Sequence, residues 1–166
     1  MSSPPSGAGT VVIGLGSPLM GDDGLGLVAL EQLRGGWRFD PAPTLVDGGT
    51  WGMNLLHDIE DAERVLLIDA INADAPPGTL IALQREDLPR FFAMKLSPHQ
   101  IDMKEVLAVA ELRGTLPDRT VAIGLQPERV ELSTELSEVV RDGVPSLVAR
   151  IIRQLEEWGH RAEPLT

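Results

Sequence analysis

The stretch Val11-Val12-Ile13-Gly14-Leu15-Gly16-Ser17-Pro18-Leu19-Met20-Gly21-Asp22-Asp23-Gly24-Leu25-Gly26 decides the fold. Residues 11–13 form an apolar run that reads as a buried strand. Gly14 and Gly16 allow a tight exit that a residue with a Cβ would resist. Leu25, Val28, Ala29, Leu30 and Leu33 then recur at helical spacing, so a helix is expected to start near Asp22 or Asp23. A strand, a glycine-rich loop and a helix in this order open an α/β domain.

Such a loop first points to dinucleotide binding, and the residues reject that reading. The third glycine of the fingerprint would fall at Leu19. Asp22 and Asp23 stand where a pyrophosphate would need free N–H groups and a positive dipole end. Two carboxylates there repel a phosphate and favour a cation instead. The plainer alternative makes Asp22 an N-cap and Asp23 an ordinary first-turn acid. The expectation is that Asp22 caps the helix while Asp23 is the carboxylate facing a cleft.

The chain has 166 residues, 43% of them hydrophobic, a net charge of −11 and no cysteine. That length fits one domain with a sizeable core. The charge disfavours nucleic acid and anionic membrane as partners. Without cysteine there is neither a disulfide nor a thiolate site. Residues 1–9 lack a basic start and an apolar stretch, so they read as a disordered tail, not a signal peptide. No apolar run approaches the roughly 20 residues of a membrane span, which makes the cytoplasm the expected location. Residues 10–159 are expected to form a single domain, and 160–166 a frayed C-terminal tail.

Further along, Gly35 and Gly36 end the first helix, and residues 37–43 read as a loop. Residues 44–47 form a second strand that stops at Gly48 and Gly49, with Thr50 placed to cap a helix over 51–59. His57, on that helix, has no acid or second histidine at ligand spacing and reads as a surface or boundary histidine. The continuous apolar run 65–68 is that of a central parallel strand, and it ends at Asp69. Open α/β sheets put their sites beyond the carboxyl ends of strands, which favours Asp69 as functional. A turn-forming Asp bonded to nearby backbone is the alternative. Residues 79–83 make the next strand, and 86–92 a short helical turn. His99 sits in a loop stiffened by Pro98, ahead of a helix over 101–112, as a positioned imidazole or an ordinary loop histidine. Residues 119–125 are the last strand. A helix from Ser133 or Thr134 to Trp158 follows, kinked or divided at Pro145. The sum is a three-layer α/β/α sandwich with a five-stranded, mainly parallel, twisted sheet.

Asp23, Asp69 and His99 together offer two oxygens and a nitrogen, a set that suits a first-row divalent ion with open positions. At this point the sequence resembles the maturation endopeptidases of nickel–iron hydrogenases. The resemblance runs from about residue 11 to 158. It is carried by the stretch from Gly14 to Gly26, by Asp47-Gly48-Gly49-Thr50, by Leu67-Ile68-Asp69-Ala70 and by Ser97-Pro98-His99-Gln100. It implies removal of a C-terminal peptide from the hydrogenase large-subunit precursor after nickel insertion. It further implies that Asp23, Asp69 and His99 contact a nickel supplied by the substrate, for which cadmium or zinc could substitute in vitro. Asp47, in the motif Asp47-Gly48-Gly49-Thr50, resembles a further acidic position of the family near the cleft, with either a structural or a substrate-recognition role; the four residues are the candidates for substrate binding. The chain departs from the family in having Ser17 where Asn is usual. A monomer is implied.

Two mechanisms stay open on the sequence. In one, metal docking aligns the scissile peptide and a metal-bound or carboxylate-activated water attacks it. In the other, metal serves only recognition, and Asp23 or Asp69 is the general base of an aspartic-type protease. The Gly-x-Ser-x-Gly motif of serine hydrolases is absent. The alternative from another class is a nickel-docking or chaperone module without peptidase activity.

Overall fold

The computed structural model describes residues 9–49, 55–88 and 98–165, and at 98–102 and 104 only the backbone. Strand β1 (Thr10–Leu15) lies between β3 (Thr44–Gly49) and β4 (Arg64–Ala70), and the five-stranded sheet continues through β6 (Arg119–Leu125) to β5 (Leu80–Leu83). Every pairing in it is parallel except β5 with β6. Strand alternation divides the core in two. Val12, Leu66 and Ile68 face α1 (Leu25–Gly36) and the long C-terminal helix α4 (Glu138–Glu157). Val11, Ile13, Val65 and Leu67 face α2 (Leu56–Glu60) and α3 (Pro98–Leu112). This is the expected three-layer sandwich, with β1, β4 and β6 covered on both faces, as their near-continuous apolar runs require.

The chain leaves β1 outward to β3 and then returns past β1 to β4 on its other side. The sheet therefore has its topological switch point between the carboxyl ends of β1 and β4, where α/β sheets open a crevice. Helix α1 reaches this point only because glycines let it. A Cβ on Gly26 would meet the carbonyl oxygens of Ile68 and Leu15 at 2.3 Å, and one on Gly14 would meet Gly26 O at 2.7 Å.

Several expectations are corrected. The segment 37–43 is not a simple loop, because β2 (Trp37–Asp40) pairs antiparallel with β7 (Arg161–Pro164). The same pairing means that the expected frayed tail over 160–166 is ordered through its described residues, 160–165. His160 is buried, its Nδ1 bonded to Pro41 O at 2.6 Å and its Nε2 to Thr10 Oγ1 at 2.8 Å. That latch holds the C-terminal segment against the start of β1. Helix α4 begins at Glu138, not at Ser133 or Thr134, and runs unbroken through Pro145. The expected helix over 51–59 is seen as Leu56–Glu60, and the turn over 86–92 as Arg85–Asp87; residues 50–54 and 89–97 lie outside the described residues. Among the described residues no helix is long and apolar enough to cross a membrane.

Candidate active site

The site is built from the ends of β1 and β4. Asp69 follows the buried run of β4 with its carboxylate on the α2/α3 face, and it is 1% exposed. Its Oδ1 accepts the N–H of Ala70 at 2.8 Å, which is the backbone bond that the turn alternative calls for. That local bond fixes the orientation of the carboxylate at the strand's end. Asp23 lies in the 3-10 turn Gly21–Gly24 that precedes α1. Its Oδ2 accepts the N–H of Ser17 at 3.0 Å, so the loop folds back on its own acid. Residue 17 contributes here through its backbone, and the usual Asn side chain is not needed for this bond.

Gly16 is wedged between the two acids. It has φ +113°, and a Cβ there would stand 1.8 Å from Asp23 O and 3.6 Å from Asp69 Oδ1. Gly124, opposite Asp69 across the β4–β6 ladder, carries the same constraint, with a Cβ 1.8 Å from Asp69 O. Gly16 thus brings the backbone of Asp23 and the carboxylate of Asp69 to one point near the switch point, and neighbouring backbone holds both glycines at bare Cα size. Asp23 is fully buried and does not face an open cleft as expected. Burying a carboxylate is costly unless donors or a cation offset it.

Asp22 is not the cap of its own helix: neither the 3-10 turn nor α1 has a side-chain cap bond. Its buried carboxylate reaches across the fold instead. Oδ2 accepts the N–H groups of Glu128 and Arg129 at 2.8 and 2.9 Å and the hydroxyl of Ser137 at 2.8 Å, while Oδ1 accepts Ser137 N–H at 2.7 Å. Ser137 is the residue before α4. Asp22 therefore serves the N-terminus of a helix 115 residues away, where the dipole favours a negative charge. The sequence pattern identified a capping acid but assigned it to the wrong helix.

His99 lies in the first turn of α3, not in a loop, because the helix starts at Pro98, a residue suited to a first helical position. Its side chain is outside the described residues. Asp47 is exposed near the end of β3 and pairs with Gly14, with Gly48 and Gly49 following beside the tip of β1. A Cβ on Gly48 would strike Ile13 Cγ2 at 2.6 Å, which gives this glycine a packing reason. Thr50 lies outside the described residues. His57 is exposed, in keeping with a surface histidine. Among the described residues no group of three or more His, Cys, Asp or Glu side chains is close enough to hold a metal ion.

Sequence reasoning passed over Gln126. Its Oε1 accepts the N–H groups of Ala73 and Ala75 at 2.7 and 3.2 Å and its Nε2 donates to Asn72 Oδ1 at 3.1 Å, fixing the loop after β4. A buried Gln just beyond a strand was the only available signal.

The fold is an α/β sandwich with two buried acids, Asp23 and Asp69, near its switch point and no nucleophile elbow in its sequence. Comparison gives the family. The HycI hydrogenase maturation protease family profile matches residues 28–154. The chain is similar to the hydrogenase expression/formation protein HoxM of Cupriavidus necator, 39% identical over 94% of this chain and 78% of the other. It is 30% identical to the hydrogenase 2 maturation protease of Escherichia coli, over 93% of this chain and 94% of that protein. Among solved structures, the hydrogenase maturating endopeptidase HybD from E. coli superposes with a TM-score of 0.88, covering 93% of this chain and 96% of its own. The chain belongs to the hydrogenase maturation protease family and is a peptidase.

Proposed function

We propose that the protein removes the C-terminal peptide of a nickel–iron hydrogenase large-subunit precursor once nickel is in place, reading the precursor's own nickel through Asp23, Asp69 and His99. The observation that carries this is the burial of Asp23 and Asp69 at the ends of neighbouring strands, with Gly16 packed against the Asp23 backbone and close to the Asp69 carboxylate. A dication brought by the substrate would meet the negative charge that these two buried carboxylates supply. Docking on that ion holds the scissile peptide in one orientation, converting an encounter into a positioned reaction. Water then adds to the scissile carbonyl carbon, an ionised carboxylate of the pair takes its proton, and the C–N bond breaks as the amine receives that proton. Asp47, Gly48 and Gly49, at the end of β3, border the same end of the sheet and line the approach of the peptide.

The test is to incubate the purified protein with nickel-loaded and nickel-free precursor and record intact mass. The expected result is loss of a C-terminal fragment from the nickel-loaded form alone. Equal cleavage of both forms, or a stable complex with no cleavage, refutes the proposal.

A further inference from the structure

The loop that carries Asp23 and the segment 126–137 are joined by main-chain bonds as well as by Asp22. Ser133 N–H donates to Leu19 O at 2.9 Å, Gly21 N–H to Ser133 O at 2.9 Å and Asp22 N–H to Arg129 O at 3.0 Å. Met20 and Ser133 form an isolated parallel bridge. Gly21, at φ +59°, gives this strap room: a Cβ would sit 3.0 Å from Arg129 O. The strap exposes Leu132 (84%) and Val130 (43%), and Leu19 (56%) lies beside them across the bridge. Three large apolar side chains thus face solvent directly beside the acid-bearing turn, and apolar clusters of this kind mark interaction sites.

We infer that Asp22 is a positioning residue that clamps residues 128–133 as the wall on which the polypeptide substrate docks beside Asp23. This rests on the reading of the chain as a peptidase for a protein precursor. The single carboxylate serves four donors, two of them on the strap and two on Ser137 where α4 begins. An amide cannot replace it. With its oxygen in the Oδ2 position, Asn would point its NH2 at Ser137 N–H, donor against donor. The site acid itself is untouched, since Asp23 is held by Ser17.

Three variants test this, each with two readouts: steady-state processing of nickel-loaded precursor and amide hydrogen exchange. Asp22→Asn is expected to raise KM about tenfold while changing kcat by less than about threefold, as losing a buried charge-assisted bond predicts. Exchange at Glu128, Arg129 and Ser137 should rise by at least about tenfold while β1, β4 and β6 stay protected. Ser137→Ala loses only the hydroxyl bond and should move both readouts the same way by less. Leu132→Asp should raise KM with exchange unchanged. A merely structural Asp22 would lower kcat with the folded fraction and leave KM as it was, which overturns the inference. Strap amides that stay protected in Asp22→Asn overturn it too. If the parent protein shortens no precursor, the reading of function fails, and the exchange readout alone then decides the clamp.

Discussion

Replacing one glycine of α1 by alanine should destabilise the protein, and replacing another should stabilise it. Gly26 and Gly35 share that helix. A Cβ built on Gly26 lies 2.3 Å from two carbonyl oxygens, Ile68 O and Leu15 O, and 2.7 Å from Leu15 N, whereas ordinary contact begins near 3.4 Å. All three are backbone atoms of β1 and β4, so no side chain can swing away. The helix must withdraw by about 1 Å from both strands, which places the cost near the upper end of the overpacking range, about 3 kcal/mol. For a chain of this length that lowers Tm by about 6–12 °C. Around Gly35 there is nothing within 4 Å. There alanine only lowers the entropy of the unfolded chain and improves helix propensity, for a gain of up to about 1 kcal/mol. Thermal and urea unfolding followed by circular dichroism measures both variants. Because α1 begins at the turn holding Asp23, Gly26→Ala should also lose processing at temperatures where it is fully folded. If Gly26→Ala unfolds within about 0.5 kcal/mol of the parent, a value typical of neutral surface changes, the contact between helix and strand tips is not what holds the site.

Burial, and to a lesser degree the Arg64 charge, hold the His160 imidazole below its ordinary pKa against the opposing pull of the Pro41 carbonyl. The unfolded chain therefore takes up the proton first, so His160's contribution is complete above about pH 6.5 and is lost as pH falls below it, with a limiting slope of about 1.4 kcal/mol per pH unit. Urea unfolding of the parent and of His160→Gln at pH 7.5 and 5.5 should show the gap between them closing at the lower pH; a constant gap would place the proton elsewhere. Asp23→Asn keeps an oxygen for Ser17 N–H, so it should cost under about 1 kcal/mol in stability while abolishing precursor cleavage, as read by mass spectrometry and calorimetry. Protein stripped by exhaustive dialysis against chelator should still cleave nickel-loaded precursor. Activity that returns only when zinc is added would make the metal a resident cofactor.

How far the sequence discloses this protein depends on the range of each signal. The apolar run 65–68 and the strand 119–125 are visible because a strand covered on both faces must be apolar throughout, and β6 has the expected bounds. Asp69 was visible for the same reason, as a charge interrupting such a run. The β2–β7 ribbon was not, because Trp37–Asp40 and Arg161–Pro164 carry charges at Arg38, Asp40, Arg161 and Glu163 and become strands only on meeting each other. His99 was placed in a loop because Pro98 was read as a stiffener, when proline suits the first turn of a helix equally well. Asp22 shows the limit most directly: composition and position mark a capping acid, but nothing local says that its donors lie beyond residue 127. Close approaches such as that of Gly124 to Asp69 likewise depend on the ladder register, which a single strand does not encode.

The Asp22–Ser137 contact also sets a schedule. Asp23 is synthesised within the first two dozen residues, yet the turn that carries it is tied down only after the chain has grown past Ser137 and α4 can follow. Closing so long a loop is slow and brings no return until the far end arrives. A shorter chain has Asp22 and Asp23 without the Glu128, Arg129 and Ser137 donors that anchor their turn. The turn that carries both acids is therefore a long-range product of the fold, complete only when segments more than 100 residues apart have met.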